Sequence, residues 1–261
     1  TKRGATPMSR EPILVARNVT KQYGGFVALG GVDLTLQPGE RRALIGPNGA
    51  GKSTFIAVLG GQQAVGPGST VHFAGRDISG ALPQEIARLG IARTFQINRV
   101  FRRLSVLDNV RTALLPSNGR VFSVSERHLT ALSSPAMTMV TELGLGRVAH
   151  DAAETLSLGD RKRLEFGMVL ATRPKVLLLD EPTAGMGLNE RRSLMELMVE
   201  HAARDQITLL FVEHDIDIVF RFADRITVMS RGKIFAEGTP AEIGANSAVQ
   251  DIYLGTEGAP S

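Results

Sequence analysis

The chain has no cysteine and no tryptophan among its 261 residues. The first absence excludes disulfides, thiolate chemistry and cysteine-bound zinc. Aromatic residues make up only 5%, which leaves few stacking platforms for single-stranded nucleic acid. No apolar run approaches the ~18 residues of a membrane span. The opening Thr1-Lys2-Arg3-Gly4-Ala5-Thr6-Pro7 has basic residues but no apolar segment behind them, so it does not read as a secretory signal. A formal charge of +4 is mild. It suits a phosphate ligand or a membrane-proximal setting and does not argue for nucleic acid. A cytosolic protein is the expectation, with any membrane association made through a partner. Hydrophobic residues at 43% and charged residues at 21% exclude a disordered chain.

What is present is concentrated at Gly46-Pro47-Asn48-Gly49-Ala50-Gly51-Lys52-Ser53, with Thr54 following. Two glycines four residues apart, then lysine and a hydroxyl, make the phosphate-loop pattern. Small residues leave backbone N–H groups open to an anion. Lys52 can reach the β- and γ-phosphates, and the Ser53 hydroxyl can ligate magnesium. By chance the pattern arises in about one random chain in a hundred. The bland alternative is a glycine-rich strand–helix turn. Against it stands the context: Ala43-Leu44-Ile45 reads as a strand, and Phe55, Ile56, Val58 and Leu59 follow at helical spacing. A nucleoside triphosphate is the expected ligand.

Upstream, Ile13 to Val15 and Val32 to Leu36 read as short β-structure, with Pro38-Gly39 as a turn. Tyr23 beside Gly24-Gly25 is either a half-buried turn residue or a platform for adenine. Ile91 to Gln96 reads as a strand. From Ile97 to about Thr155 the pattern turns helical: Ser105 and Asp108 suggest a capping box, and a second helical stretch from Glu126 to Leu143 is punctuated by Pro135. Leu156-Ser157-Leu158-Gly159-Asp160 precedes a helix carrying Leu164, Met168 and Ala171 on one face. Val176 to Leu179 and Ile207 to Val212 are continuous apolar runs, as expected of parallel strands covered on both faces. They deliver Asp180-Glu181 and Glu213-His214 at their ends. Ser230-Arg231-Gly232 between apolar runs marks a β-hairpin.

Adjacent carboxylates at a strand end repel each other, so a nearby cation accounts for them economically. Asp180 is the candidate metal-coordinating acid; the alternative is a helix cap. Glu181 is the candidate general base and His214 a candidate γ-phosphate contact. His72, His128, His150 and His201 read as surface or packing residues.

Together, Tyr23, Gly46 to Ser53, Gln96, Leu156 to Asp160, Asp180-Glu181 and His214 resemble the nucleotide-binding subunit of ABC transporters, over almost the whole chain. The resemblance implies a phosphate-loop (RecA-like) α/β core with a parallel sheet, an antiparallel β subdomain on its N-terminal side, and a helical insertion. A single ATPase domain at 11–255 would divide into a core at about 11–96 and 172–240 and a helical subdomain at about 97–171. Residues 1–10 and 256–261 would be tails. ATP and Mg2+ are the implied cofactors. Tyr23 would stack on adenine, Gln96 would complete the magnesium and water contacts, and Ser157 and Gly159 would bind the γ-phosphate held by a second copy. The implied partners are that second ATPase subunit, transmembrane permease subunits and, indirectly, a solute-binding protein. This places the chain peripherally, on the cytoplasmic side of the membrane.

Leu158 and Asp160 depart from the family's common signature, and Gly187 stands where an aspartate is usual. That last change bears on cross-dimer communication, not on hydrolysis. Arg93-Thr94-Phe95-Gln96, Phe101 to Val106, Lys162 to Glu165 and Gln250 to Gly255 look like the branched-chain amino-acid import ATPases. Phe101 to Val106 also resembles a lipopolysaccharide-export ATPase, so export is the alternative, and a soluble ABC ATPase a more distant one. Arg99, Arg102 and Arg103 would lie near the docking surface or form a solvated basic face.

Overall fold

The computed structural model describes residues 11–94, 100–115 and 131–251. Gln96, Arg99 and His128 lie outside them.

The first two strands, β1 (Leu14–Tyr23) and β2 (Phe26–Leu36), form one long antiparallel hairpin. The expectation of short pieces underestimated it. Register shifts after Ala16, Val19 and Lys21 accommodate polar residues without ending the pairing. With β4 (Thr70–Phe73) and β5 (Arg76–Asp77) they make a four-stranded sheet in the order β2-β1-β4-β5.

The second sheet has six strands. It includes β3 (Arg41–Ile45), β6 (Ile91–Thr94), β7 (Val176–Asp180), β8 (Thr208–Val212), β9 (Arg225–Ser230) and β10 (Lys233–Gly238), ordered β10-β9-β3-β8-β7-β6. All neighbours are parallel except β10, which returns antiparallel through a two-residue turn at Arg231 and Gly232 (φ 47° and 75°).

Side chains on a strand alternate between faces, and the apolar runs divide accordingly. Leu44, Val176, Leu178, Leu210 and Val212 join a core shared with the antiparallel sheet and with α1 (Lys52–Leu59). Ala43, Ile45, Leu177, Leu179, Leu209 and Phe211 join the core on the opposite face. That face is covered by α3 (Val106–Leu114), α4 (Ser133–Glu142), α5 (Leu158–Leu170), α6 (Leu188–Arg204) and α7 (Ile216–Phe222). Two short helices, α2 (Pro83–Leu89) and α8 (Pro240–Gly244), and two 3-10 turns at Gly146–Val148 and Ala153–Thr155 are also among the described elements. Among the described residues, no helix is long and apolar enough to cross a membrane.

Local chemistry sets the helix ends. Ser105 accepts the Asp108 N–H at 3.0 Å and caps α3 as expected. Pro135 lies in the first turn of α4, where its missing N–H costs nothing, and the helical run breaks just before it, at Leu132. The signature likewise lies further into a helix than the sequence suggests. Helix α5 starts at Leu158, with Ser157 as its cap and Gly159 and Asp160 already in the first turn. Gly187 caps α6, and its N–H donates to Glu190 Oε2 at 3.3 Å. His201 is buried, edge-on to Phe166 and hydrogen-bonded to Arg204, a packing residue as expected.

Candidate nucleotide site

The phosphate loop joins the end of β3 to the start of α1, at the C-terminal edge of the parallel strands. Gly46 has φ +146°, and a Cβ there would fall 2.1 Å from the Met229 carbonyl oxygen of β9. Gly51 has φ +101°, with its would-be Cβ 2.7 Å from the Ala28 carbonyl oxygen of β2. The loop is threaded between two strands at distances only glycine allows. The Ala50 N–H donates to Pro47 O (3.1 Å) and the Gly232 N–H to Ala50 O (3.0 Å), tying the loop to the β9–β10 turn. Asn48 and Gly49 are exposed at its tip, and Thr54 is half-buried in the helix behind.

Lys52 is only 6% exposed. Its Nζ donates to Gly46 O at 2.6 Å and Pro47 O at 3.0 Å, so the ammonium lies along the inside of the loop. Burial pushes its pKa down, while Glu181 and Asp180 pull it up. The next residue turns to the acids: Ser53 Oγ donates to Asp180 Oδ1 at 3.1 Å.

The two adjacent acids avoid each other by taking different partners. Asp180 Oδ2 accepts from Arg93 Nη2 at 2.9 Å. Glu181 has a left-handed backbone (φ 50°), unusual for a non-glycine residue. Its N–H donates to Val212 O at 3.0 Å, and its Oε1 lies 2.8 Å from His214 Nε2. The loop after it is clamped from two sides. Glu213 Oε1 accepts from Thr183 N (3.0 Å) and Thr183 Oγ1 (2.8 Å), and Lys162 Nζ on α5 donates to Pro182 O at 2.8 Å. Glu213 is 5% exposed, and burial raises its pKa.

The structure brings Gly46 to Ser53, Asp180, Glu181 and His214 together at the C-terminal ends of the parallel strands. Sequence reading missed the supporting residues: Arg93 was noted only for family likeness, and Gln62, Lys162, Thr183 and Glu213 not for their contacts. An arginine at the end of a strand beside the acid-bearing one was the available clue. Three expected residues stand elsewhere. Ser157 is exposed and hydrogen-bonded within its own turn, accepting the Asp160 N–H at 3.1 Å and donating to Asp160 Oδ2 at 2.9 Å; Gly159 is buried beside Met186 and Glu190. Tyr23 closes the first hairpin, 45% exposed, with Lys21 Nζ 5.3 Å from its ring centroid. Arg102 and Arg103 are exposed.

The donors fit a magnesium-bound triphosphate. Ser53 and Asp180 offer hard oxygen ligands, and the loop offers N–H groups and a helix N-terminus. No group of three or more His, Asp or Glu residues among those described could hold a metal without further ligands. Phosphate oxygens are the natural complement, because Mg2+ usually binds one or two protein groups together with substrate phosphates.

A phosphate loop beneath a RecA-like parallel sheet, with an acid pair on the second strand over, defines a phosphate-loop ATPase that uses ATP and Mg2+. The family model described as ABC transporter matches residues 29–184, and one described as Branched-chain amino acid ATP-binding cassette transporter matches residues 233–259. The chain belongs to the ABC transporter family, as an ATP-binding and hydrolysing subunit.

Its relatives include the high-affinity branched-chain amino acid transport ATP-binding protein LivG of Escherichia coli K12. That protein is 36% identical over 253 residues, covering 94% of this chain and 98% of the relative. BraF of Pseudomonas aeruginosa, of the same description, is 35% identical, covering 95% and 99%. The phosphonates import ATP-binding protein PhnC of Thiobacillus denitrificans is 36% identical, covering 91% of each chain. Among solved structures, the ADP conformation of MJ1267, an ATP-binding cassette of an ABC transporter, superposes with a TM-score of 0.80 at 31% identity, covering 94% and 99%. A dimeric post-hydrolysis state of the cassette MJ0796 bound to ADP and Pi gives 0.72 at 25% identity, covering 87% and 98%.

Proposed function

We propose that this chain powers the import of branched-chain amino acids or related small amino acids and amides. The observation that carries this reading is the match of its C-terminal segment, 233–259, to the model described for branched-chain amino acid transporters. Identity alone does not choose the cargo, since a phosphonate-import relative is also 36% identical.

In this reading two copies, or this chain and a similar ATPase subunit, face each other head to tail, as the dimeric relative suggests. Lys52 and the N–H groups of Gly46 to Thr54 hold the phosphates, and Tyr23 carries the adenine. Ser157 and Gly159 close over the phosphates held by the partner copy, which suits their place in the first turn of a helix whose cap, Ser157, is exposed. Glu181 accepts a proton from the attacking water. His214, hydrogen-bonded to Glu181, fixes that carboxylate and contacts the γ-phosphate. Ser53, Asp180 and Gln96 hold Mg2+, which when bound neutralises charge on the β- and γ-phosphates. Residues 97–171 act as the helical subdomain against a core at 11–96 and 172–240. Through this subdomain the ATPase meets permease subunits on the cytoplasmic side of the membrane, and they meet a solute-binding protein.

The test is to purify the chain with its membrane subunits and to measure ligand binding by the solute-binding protein of the same system. Leucine, isoleucine or valine, or a small amide, should bind and stimulate ATP hydrolysis in the assembled complex. A phosphonate or lipid ligand would overturn the cargo and leave the ATPase assignment standing.

A further inference from the structure

Asp180 bears one negative charge, and its two oxygens serve different partners: Oδ1 accepts from Ser53 and Oδ2 from Arg93. The second contact follows from strand parity. Strand β6 pairs in parallel with β7, Arg93 lying beside Leu178. Leu178 and Asp180 are two residues apart on β7, so they share the face turned towards α1. An arginine at that register on the neighbouring strand reaches the Asp180 carboxylate.

The Arg93 side chain is 4% exposed. Its Nη1 donates to Gln62 Oε1 at 3.0 Å, just beyond α1, while its Nε is buried with no hydrogen-bond partner among the described residues. Burial pulls the guanidinium pKa down and Asp180 pulls it up; the group stays charged at any working pH. A buried cation with one hydrogen bond missing is not there for packing alone, since an apolar side chain would fill that space without the desolvation cost.

We propose that Arg93 is a charge-balancing residue of the magnesium site: it shares the single charge of Asp180 with the ion and so holds metal affinity low unless a triphosphate is present. The inference rests on the nucleotide-site reading above. With Arg93 in place, the Arg93–Asp180 pair is neutral, and a divalent ion gains little from it. The ion binds when phosphate oxygens supply the missing negative charge and leaves more readily after they go. A neutral side chain at this position leaves Asp180 without its ion-pair partner, with Lys52 as the remaining cation that acts on it, in a partly buried setting where Coulomb interactions are several times stronger than in water. Loosened positioning of the carboxylate works in the opposite direction but is the smaller effect, because Ser53 still holds Oδ1.

The test measures Mn2+ as a probe ion by electron paramagnetic resonance of the free ion, with and without ATP, in the purified full chain. Arg93→Met and Arg93→Gln, checked for folding by circular dichroism and thermal melting, should bind Mn2+ without nucleotide at least tenfold more tightly than wild type. Their Mg2+ midpoint for ATP hydrolysis should fall. Arg93→Lys keeps the charge but cannot fork to Gln62, and its Mn2+ affinity should stay within about twofold of wild type. Unchanged or weaker Mn2+ binding in a folded neutral variant would overturn the proposal. So would a tenfold change in Arg93→Lys, which remains informative if both neutral variants unfold. Absence of Mg2+-dependent ATP hydrolysis in the wild type would instead sink the nucleotide-site reading.

Discussion

His214 Nε2 and Glu181 Oε1 lie 2.8 Å apart, a hydrogen bond between side chains issuing from neighbouring parallel strands. The register of β7 and β8 pairs Asp180 with Val212, so both polar ends emerge together. Glu181 has a left-handed backbone, and its carboxylate pairs with His214 while that of Asp180 pairs with Ser53 and Arg93. A candidate general base must come within hydrogen-bond reach of the proton it abstracts.

Replacing Glu181 by glutamine keeps the shape and the hydrogen-bonding capacity but removes the base. ATP binding should persist within a few-fold, and turnover should drop about a hundred- to ten-thousand-fold. Equilibrium binding alongside steady-state phosphate release measures both. Wild-type turnover in this variant would remove Glu181 from the role.

Lys52→Ala removes an ammonium held along the inside of the loop by Gly46 O and Pro47 O. Nucleotide affinity and hydrolysis should both fall, with little loss of thermal stability, since a buried charge is removed along with its hydrogen bonds. Titration with a fluorescent ATP analogue reads the first effect. Undiminished affinity would contradict the loop's assignment as a phosphate cradle.

At Ser157 two roles can be separated by charge. Ser157→Ala removes the cap of α5 and should cost ~1 kcal/mol in stability. Ser157→Asp supplies an equally good cap and should restore stability. It should nonetheless fail in ATP hydrolysis if Ser157 faces the partner's triphosphate, because it sets an anion against an anion. Full activity in a stable Ser157→Asp protein would place the signature away from phosphate.

Gly46→Ala tests the threading of the loop. A Cβ 2.1 Å from Met229 O cannot be accommodated without moving β9 or the loop. Destabilisation of at least ~1–3 kcal/mol, the usual range for overpacking, is expected in denaturant unfolding. A neutral effect would mean that the loop readily adopts another path.

The clamp between Glu213 and Thr183 has a pH signature. Burial raises the folded-state pKa of Glu213 above its unfolded value, so the native state binds the proton more tightly than the unfolded chain. The ionised group therefore carries a stability cost at neutral pH, and the cost is relieved as pH falls through the raised pKa towards the unfolded one. Compared with the non-titrating Glu213→Gln, wild type should gain relative stability as pH is lowered from 7 towards about 4.5. Parallel urea-unfolding series of the two proteins would reveal it. A difference independent of pH would contradict the burial argument.

Much of this site is legible in the sequence because its chemistry is local. A phosphate loop is eight consecutive residues whose glycines, lysine and hydroxyl work through the backbone they occupy. The apolar runs before Asp180 and His214 declare buried strands by their own continuity, while the structure shows which of their residues enter which of the two cores. The helical boundaries were less legible. The Ser157–Asp160 turn lies about one turn further into a helix than the pattern suggested, because a helix end is fixed by capping hydrogen bonds rather than by periodicity.

The supporting contacts belong to another class. Arg93 and Asp180, Glu213 and Thr183, and Lys162 and Pro182 are each separated by many residues along the chain. Their pairing depends on strand order and register, which no single segment encodes. The amino-acid sequence by itself determined the loop, the acids, the histidine and the family they spell out. Only the tertiary structure decided which partner each acid takes, because two adjacent carboxylates are distinguished by the side chains that other strands bring to them.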